Sequence, residues 1–276
     1  MGKKVNSGNV SGTTKNARGN TGSDKKVRTP RTKPTRLSEG EKVDKYGKSK
    51  ALNYKIKFEA KNAKQQLLYD TISDKQITLV KGAAGCGKSY TVFAKCLDLL
   101  MTNKYEKLII LTPIVPITDL GALPGELDQK IFFSTLADRS TIIKIFEKSG
   151  YDGQLVLDKL MESGKIEFDC IAYWRGRSIS NSIVCVSESS NLIPRDLKTA
   201  LTRVEGSIYV ISGDPDQTDL PLSRTGKKMP DGLTVAFEKL KDIEEIGKVI
   251  FTDEDEIVRD PIIRKILNAW KNNDID

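Results

Sequence analysis

The sequence predicts an α/β fold, a mostly parallel sheet with helices on both faces. Three observations point there. Short apolar runs of strand length alternate with helical patterns along most of the chain, as expected of strands covered on both sides by crossover helices. One of these runs passes directly into a glycine-rich loop and then a helix. The chain shows no internal repeat and no apolar stretch of about 18 residues, so neither a repeat array nor a membrane-spanning helix competes with this reading.

The elements are expected in the following order. Residues 61–73 read as a helix carrying Leu67, Leu68 and Ile72 on one side. Residues 76–81 contain Ile77-Thr78-Leu79-Val80, a buried strand, and a helix follows the glycine loop to about Met101. Residues 107–112 hold a second strand, Leu108-Ile109-Ile110-Leu111, and two helical stretches are expected within 126–164. Further strands are expected at 166–172, 182–186, 207–212 and 248–252, with helical patterns between them and a last helix over about 261–271.

Charge divides the chain unevenly. Residues 1–50 hold 14 Lys and Arg against 4 Asp and Glu, and the remainder holds 31 against 33, so the whole net charge of +8 originates in the first segment. That segment is rich in Gly, Ser, Thr, Asn and Lys and has few large apolar side chains to offset its ordering entropy. Residues 1–50 are therefore expected to be a disordered basic tail, and 51–276 the folded domain. The tail reads either as an arm that contacts nucleic-acid phosphates through counterion release or as a solubilising linker. It lacks the apolar run of a secretory signal and the amphipathic face of a transit peptide.

Composition also excludes chemistry. The chain contains no histidine, which removes His-based triads, His general bases and His metal ligands. Acid–base work must fall to Asp, Glu or Lys. Cys86, Cys96, Cys170 and Cys185 form no C-x-x-C pair and read as buried, reduced thiols of a cytoplasmic protein.

Gly82-Ala83-Ala84-Gly85-Cys86-Gly87-Lys88-Ser89 matches G-x-x-x-x-G-K-[ST] in full. Glycines let backbone N–H groups converge on phosphate oxygens with no Cβ in the way. The helix that follows turns its positive end toward the same anion, and Tyr90, next after Ser89, is expected to join the nucleotide-binding residues. Lys88 is expected to reach the β- and γ-phosphates of a nucleoside triphosphate, and Ser89 to ligate Mg²⁺.

Two later strands end in candidate partners for this loop. The strand 182–186 ends in Ser187-Glu188, where Glu188 is the candidate base that orients an attacking water. The strand 207–212 leads into Gly213 and Asp214, with Gln217 and Asp219 beyond. In a parallel sheet the carboxyl ends of the strands line one edge, so these groups converge on the phosphate site, where Gln217 can sense the γ-phosphate or the water that attacks it.

The order of these motifs resembles that of the PhoH-like ATPases, relatives of the superfamily 1 helicases. The resemblance spans about Lys61 to Trp270. After the phosphate loop come Leu123-Pro124-Gly125-Glu126-Leu127, then Ala172-Tyr173-Trp174-Arg175-Gly176-Arg177-Ser178, the strand ending in Glu188, Leu201-Thr202-Arg203, the Gly213-Asp214 segment, and Val258-Arg259 with Pro261. The resemblance implies a single RecA-like P-loop NTPase core that binds ATP and Mg²⁺. It implies that Gln66 reads adenine, that Gln217 contacts the γ-phosphate, and that Arg203 and Arg259 contact phosphates in cis or from a neighbouring subunit. Trp174, Arg175 and Arg177 form either a loop that touches nucleic acid through charge and stacking or a structural salt-bridge loop.

Two departures stand out. The family pattern Asp-Glu-Ala-Gln-Asn reads Ser187-Glu188-Ser189-Ser190-Asn191 here, and its Thr-Arg-Pro reads Leu111-Thr112-Pro113. Serine carries no charge for the metal's water shell, so Mg²⁺ is expected to bind more weakly unless Asp214 compensates, and Ser187→Asp is expected to speed hydrolysis. Three functions compete: an ATPase acting on RNA or single-stranded DNA as a helicase-like motor, an ATP-binding regulatory module with weak hydrolysis, and a small-molecule kinase. A lone motor core must borrow its second jaw from another subunit, so a homo-oligomeric ring, by resemblance a hexamer, is expected.

Overall fold

In the computed structural model, residues 54–113, 127–171, 179–221 and 229–252 are described, together with Trp174, Gly226, Ile262, Lys265 and Ala269. The expected basic tail lies outside the described residues. In chain order the elements are α1 (Ala63–Asp74), β1 (Ile77–Gly82), α2 (Lys88–Met101), β2 (Lys107–Thr112), α3 (Leu127–Ser134), α4 (Leu136–Lys148), α5 (Gly153–Glu162) and β3 (Ile166–Cys170). There follow β4 (Ile179–Ser180), β5 (Ser182–Val186), α6 (Pro194–Leu201), β6 (Val204–Glu205), β7 (Ile208–Gly213), α7 (Gly232–Lys239) and β8 (Ile246–Phe251).

Six strands form one sheet in the order β3-β2-β5-β7-β1-β8, and every pairing in it is parallel. The predicted fold class is therefore the observed one. Alternate strand residues face opposite sides of a sheet, and the core divides accordingly. Val80, Leu108, Ile110, Ile183, Cys185 and Val210 face a layer built from α1, α2, α4 and α5. Leu79, Ile109, Leu111, Val184, Val186, Tyr209 and Ile211 face α6 and α7. The order places β5, β7 and β1 side by side, so the segments that leave their carboxyl ends are neighbours in space.

The structure departs from the sequence reading in three places. Residues 127–162 form three helices rather than two, because Thr135 leaves helical geometry with its hydroxyl on Ile131 O at 2.8 Å, and Asp152 starts α5 afresh by accepting the Leu155 amide at 3.0 Å. On α1, Leu67 is 52% exposed, and the buried face is Gln65, Leu68 and Ile72. That spacing of three and four is the true helical stripe, fixed by Asn62, whose side chain accepts the Gln65 amide at 2.8 Å. The short parallel pair β4–β6 was not foreseen. The last predicted helix lies mostly outside the described residues, although Ile262, Lys265 and Ala269 within it are helical.

Candidate active site

The phosphate loop leaves β1 at Gly82 and enters α2 at Lys88. Gly85 and Gly87 hold φ of 92° and 85°, left-handed values that cost a side-chain-bearing residue about 1–2 kcal/mol. These two turns aim the loop amides inward. Cys86 is 2% exposed and packs into the core as a small filler, and its carbonyl is gripped from behind by the Gln65 side-chain amide at 2.9 Å. Lys88 Nζ donates to Gly82 O at 2.5 Å and Ala83 O at 3.0 Å, which holds the ammonium at the mouth of the loop.

A cleft of about 670 Å³ opens in front of the loop. One wall is the loop and its helix: Ala84, Gly85, Gly87, Lys88, Ser89 and Tyr90. The facing wall comes from the ends of β5 and β7: Glu188, Ser212, Gly213, Asp214 and Gln217. A third wall, not anticipated, is the face of α4 that carries Asp138, Thr141 and Lys144, with Lys61 at the entrance.

The strand ends are tied together by their side chains. Ser189 Oγ donates to Ser212 O at 2.9 Å, Thr218 Oγ1 to Ser190 O at 3.0 Å, and the Asp219 amide to Asn191 Oδ1 at 2.8 Å. A Cβ on Gly213 would stand 2.4 Å from Ser190 Oγ and 2.8 Å from Ser190 N, so the approach of β7 to this turn requires glycine. Glu188 itself sits at φ 49°, an uncommon left-handed conformation for a residue with a side chain, which directs it to the cleft. Its carboxyl is raised above the usual range by burial among the cleft walls; the Lys88 charge opposes this, and Asp214 and Asp219 add to it.

Behind Glu188 stands a closed triangle of polar groups. Ser187 Oγ donates to Asp138 Oδ2 at 2.7 Å, Thr112 Oγ1 lies 3.4 Å from the same oxygen, and the two hydroxyls are 3.0 Å apart. All three residues are buried, Asp138 at 8% exposure. Burial pushes the Asp138 carboxyl up to about 6; the Ser187 hydrogen bond lowers it, the Glu188 charge raises it, and Thr112 lowers it slightly. Sequence reading missed Asp138, although it left a signal. Asp138 falls four and seven residues before Ile142 and Ile145, on the buried face of α4, where a charge has no structural reason to be.

Of the expected site residues, Ala84, Gly85, Gly87, Lys88, Ser89, Tyr90, Glu188, Asp214 and Gln217 line the cleft, Gly82 and Ala83 meet it through their carbonyls on Lys88 Nζ, and Cys86 packs behind the loop in the core. Three assignments are corrected. Gln66 is turned to solvent, where its amide bonds Asp70 on the same helix at 3.0 Å, and Gln65 is the glutamine that meets the loop. Trp174 is 1% exposed within the core beside α6 and α7, so no base can stack on it. Arg203 is carried away from this chain's own cleft, which removes the contact in cis, because α6 runs from the carboxyl edge of the sheet back to its amino edge. There the Arg203 carbonyl meets the Tyr209 hydroxyl at 3.3 Å, near the start of β7. Arg175, Arg177, Arg259 and residues 123–126 lie outside the described residues.

Among the described residues no group of three or more His, Cys, Asp or Glu side chains could cage a metal alone. The donor set still fits Mg²⁺ bound with a triphosphate, since that ion takes few protein oxygens and completes its shell with phosphates and water. Ser89, the first hydroxyl after the loop lysine, would hold it, with carboxylates on the facing wall for its water shell.

A strand that ends in a glycine-rich loop, a lysine leading the next helix and acids on the adjacent strand ends define a P-loop NTPase. Residues 57–271 match the family model described as PhoH-like protein, and the chain belongs to that family. It is 33% identical over 219 residues to the PhoH-like protein of Synechocystis, covering 78% of this chain and 62% of that one. It is 36% identical over 193 residues to the PhoH-like protein of Bacillus subtilis, covering 68% and 56%, and 31% identical over 215 residues to Protein PhoH of Escherichia coli, covering 76% and 57%. The chain thus spans about three-fifths of the length of these relatives. Among the described residues no helix is long and apolar enough to cross a membrane.

Proposed function

We propose that this chain is a Mg²⁺-dependent ATPase that acts on RNA or single-stranded DNA as a helicase-like motor in the cytoplasm. The observation that carries this reading is the convergence of Lys88, Glu188, Asp214 and Gln217 from three adjacent strand ends on one cleft. Lys88 and the loop amides bind the β- and γ-phosphates and cancel their charge. Ser89 would hold Mg²⁺, which would supply positive charge to the phosphates during transfer. Glu188 accepts a proton from the attacking water on a carboxylate oxygen, and its raised pKa brings it closer to working pH as a base. Gln217 orients that water or reports the γ-phosphate. The basic balance of residues 1–50 supports a polyanionic partner. The family resemblance supports a homo-oligomeric ring, a hexamer, in which Arg203 or Arg259 reaches a neighbour's site.

A second reading, an ATP-binding regulatory module with little turnover, is favoured by one residue, Ser187, which stands where the family pattern has an acid. ATP hydrolysis measured with and without single-stranded RNA or DNA separates the two. Stimulation by nucleic acid supports the motor, and firm binding without turnover supports the module. Lys88→Ala is expected to weaken ATP binding about 10–100-fold, the worth of a charge-assisted bond of roughly 1.5–3 kcal/mol. Unchanged affinity would end both readings.

A further inference from the structure

We propose that Asp138 supplies from helix α4 the carboxylate that orders the water shell of the nucleotide-bound Mg²⁺, with Ser187 and Thr112 holding it in place. The proposal rests on the ATPase reading and concerns the acid that Ser187 lacks.

Geometry carries it. Ser187 immediately precedes Glu188 at the end of β5, and its amide is fixed on Leu111 O at 3.0 Å, so its side chain leaves the strand beside the end of β2. An aspartate at 187 would carry its carboxylate from this point. The serine instead ends in a hydroxyl, and 2.7 Å beyond that hydroxyl stands Asp138 Oδ2. The acid is not lost from the site. It arrives from another element, and a small side chain at 187 leaves room for it.

Both described partners of Asp138 meet Oδ2, and among the described residues Oδ1 accepts no hydrogen bond. Nor does Asp138 form an ion pair among the described residues. A carboxylate at 8% exposure with two hydroxyl neighbours and no cation is poorly compensated. It nonetheless lines the cleft that holds Lys88, Ser89 and Glu188. Protein charges left in this condition mark places where function requires them, and here the missing cation is one that enters the cleft with the nucleotide.

The same contact reverses the expected effect of Ser187→Asp. A second carboxylate placed against Asp138 Oδ2 would repel it, so the single substitution is expected to impair metal binding. The exchange Asp138→Ser with Ser187→Asp keeps one acid at the site and is expected to recover it.

The test uses the full chain, Mn²⁺ as the metal probe and a non-hydrolysable ATP analogue, with Mn²⁺ binding read by electron paramagnetic resonance. Nucleotide affinity is measured separately in chelator. Asp138→Asn, which keeps the side chain's volume, is expected to leave metal-free nucleotide affinity unchanged and to weaken Mn²⁺ in the ternary complex ~10–100-fold, the usual effect of removing an outer-shell partner. The exchanged double variant is expected to regain most of that loss, and Ser187→Asp alone is not. If Asp138→Asn binds Mn²⁺ as tightly as the parent, or the exchange recovers nothing while remaining folded, Asp138 is only a structural hydrogen-bond acceptor and the proposal fails. Failure of the ATPase reading is distinct, because the parent itself would then not bind the analogue.

Discussion

The two sides of the cleft are built in opposite ways. The phosphate loop is eight consecutive residues between a strand and a helix, and its geometry follows from local rules: two glycines at positive φ, one lysine and one helix N-terminus. The acid side has no such continuity. Thr112, Asp138 and Ser187 come from the end of β2, the first turn of α4 and the end of β5, with separations of 26, 49 and 75 residues between the bonded pairs. The loop can only change residue by residue. The acid side can trade a carboxylate between elements, provided the charge remains beside the same strand end.

If this contrast is right, damage to the acid side should impair chemistry and leave binding intact, the reverse of Lys88→Ala. Glu188→Gln is the sharpest case. It keeps size and hydrogen bonding but removes the base, and turnover is expected to fall about 10²–10⁴-fold while equilibrium ATP affinity stays near the parent's. A parallel loss of affinity, measured by titration calorimetry, would show the two sides to be one binding unit and break the comparison.

A smaller effect concerns stability. The Asp138 carboxyl is raised from an ordinary value of 3.8 to about 6 in the fold. The native state therefore holds this proton more tightly than the unfolded chain does. The associated stability is complete below the unfolded value and is lost as pH rises through about 6. A shift of this size corresponds to roughly 3 kcal/mol. Asp138→Asn does not titrate, so without nucleotide or metal it is expected to gain stability on the parent by up to that amount between pH 4 and pH 8. Of the other charged groups on the cleft, Lys61, Lys88, Lys144 and Asp214 are common to both proteins, whereas Glu188, whose charge helps to raise the Asp138 carboxyl, is part of the same difference. Urea midpoints at the two pH values measure it. A gap that does not widen with pH would mean that Asp138 carries no buried charge, and would remove the cost that a functional role must explain.

The contrast also accounts for what the sequence made legible. The sheet strands could be read because runs such as Leu108-Ile109-Ile110-Leu111 are buried on both faces and have no other use. The loop could be read because its chemistry is contiguous. Glu188, Asp214 and Gln217 followed from the rule that parallel strands end on one edge. Asp138 did not follow, since nothing local ties a helical aspartate to a strand end 49 residues away. Trp174 was left between two readings because an aromatic beside two arginines has the same composition in a binding loop as in a structural one, and only packing tells them apart. Arg203 misses its own cleft for a directional reason: the motif gives its order along the chain, but α6 carries it to the far edge of the sheet.

The adjacent glutamines give the finest test, since they stand one position apart on the same helix. Gln65 is 4% exposed, accepts the Lys61 amide at 2.9 Å and donates to Cys86 O at 2.9 Å, so it clamps the start of α1 to the back of the loop. Gln66 is exposed and bonds only Asp70 among the described residues. Gln65→Ala removes two hydrogen bonds, one to the buried Cys86 carbonyl and one from the Lys61 amide, and is expected to cost about 1–3 kcal/mol of stability, with weakened ATP binding because the loop loses its brace. Gln66→Ala, a surface change, is expected to stay within about 0.5 kcal/mol and to leave nucleotide affinity alone. If instead Gln66→Ala relaxed discrimination between ATP and GTP while Gln65→Ala did not, the helix phase set by Asn62 would be wrong. The loop side would then be read one residue out of register.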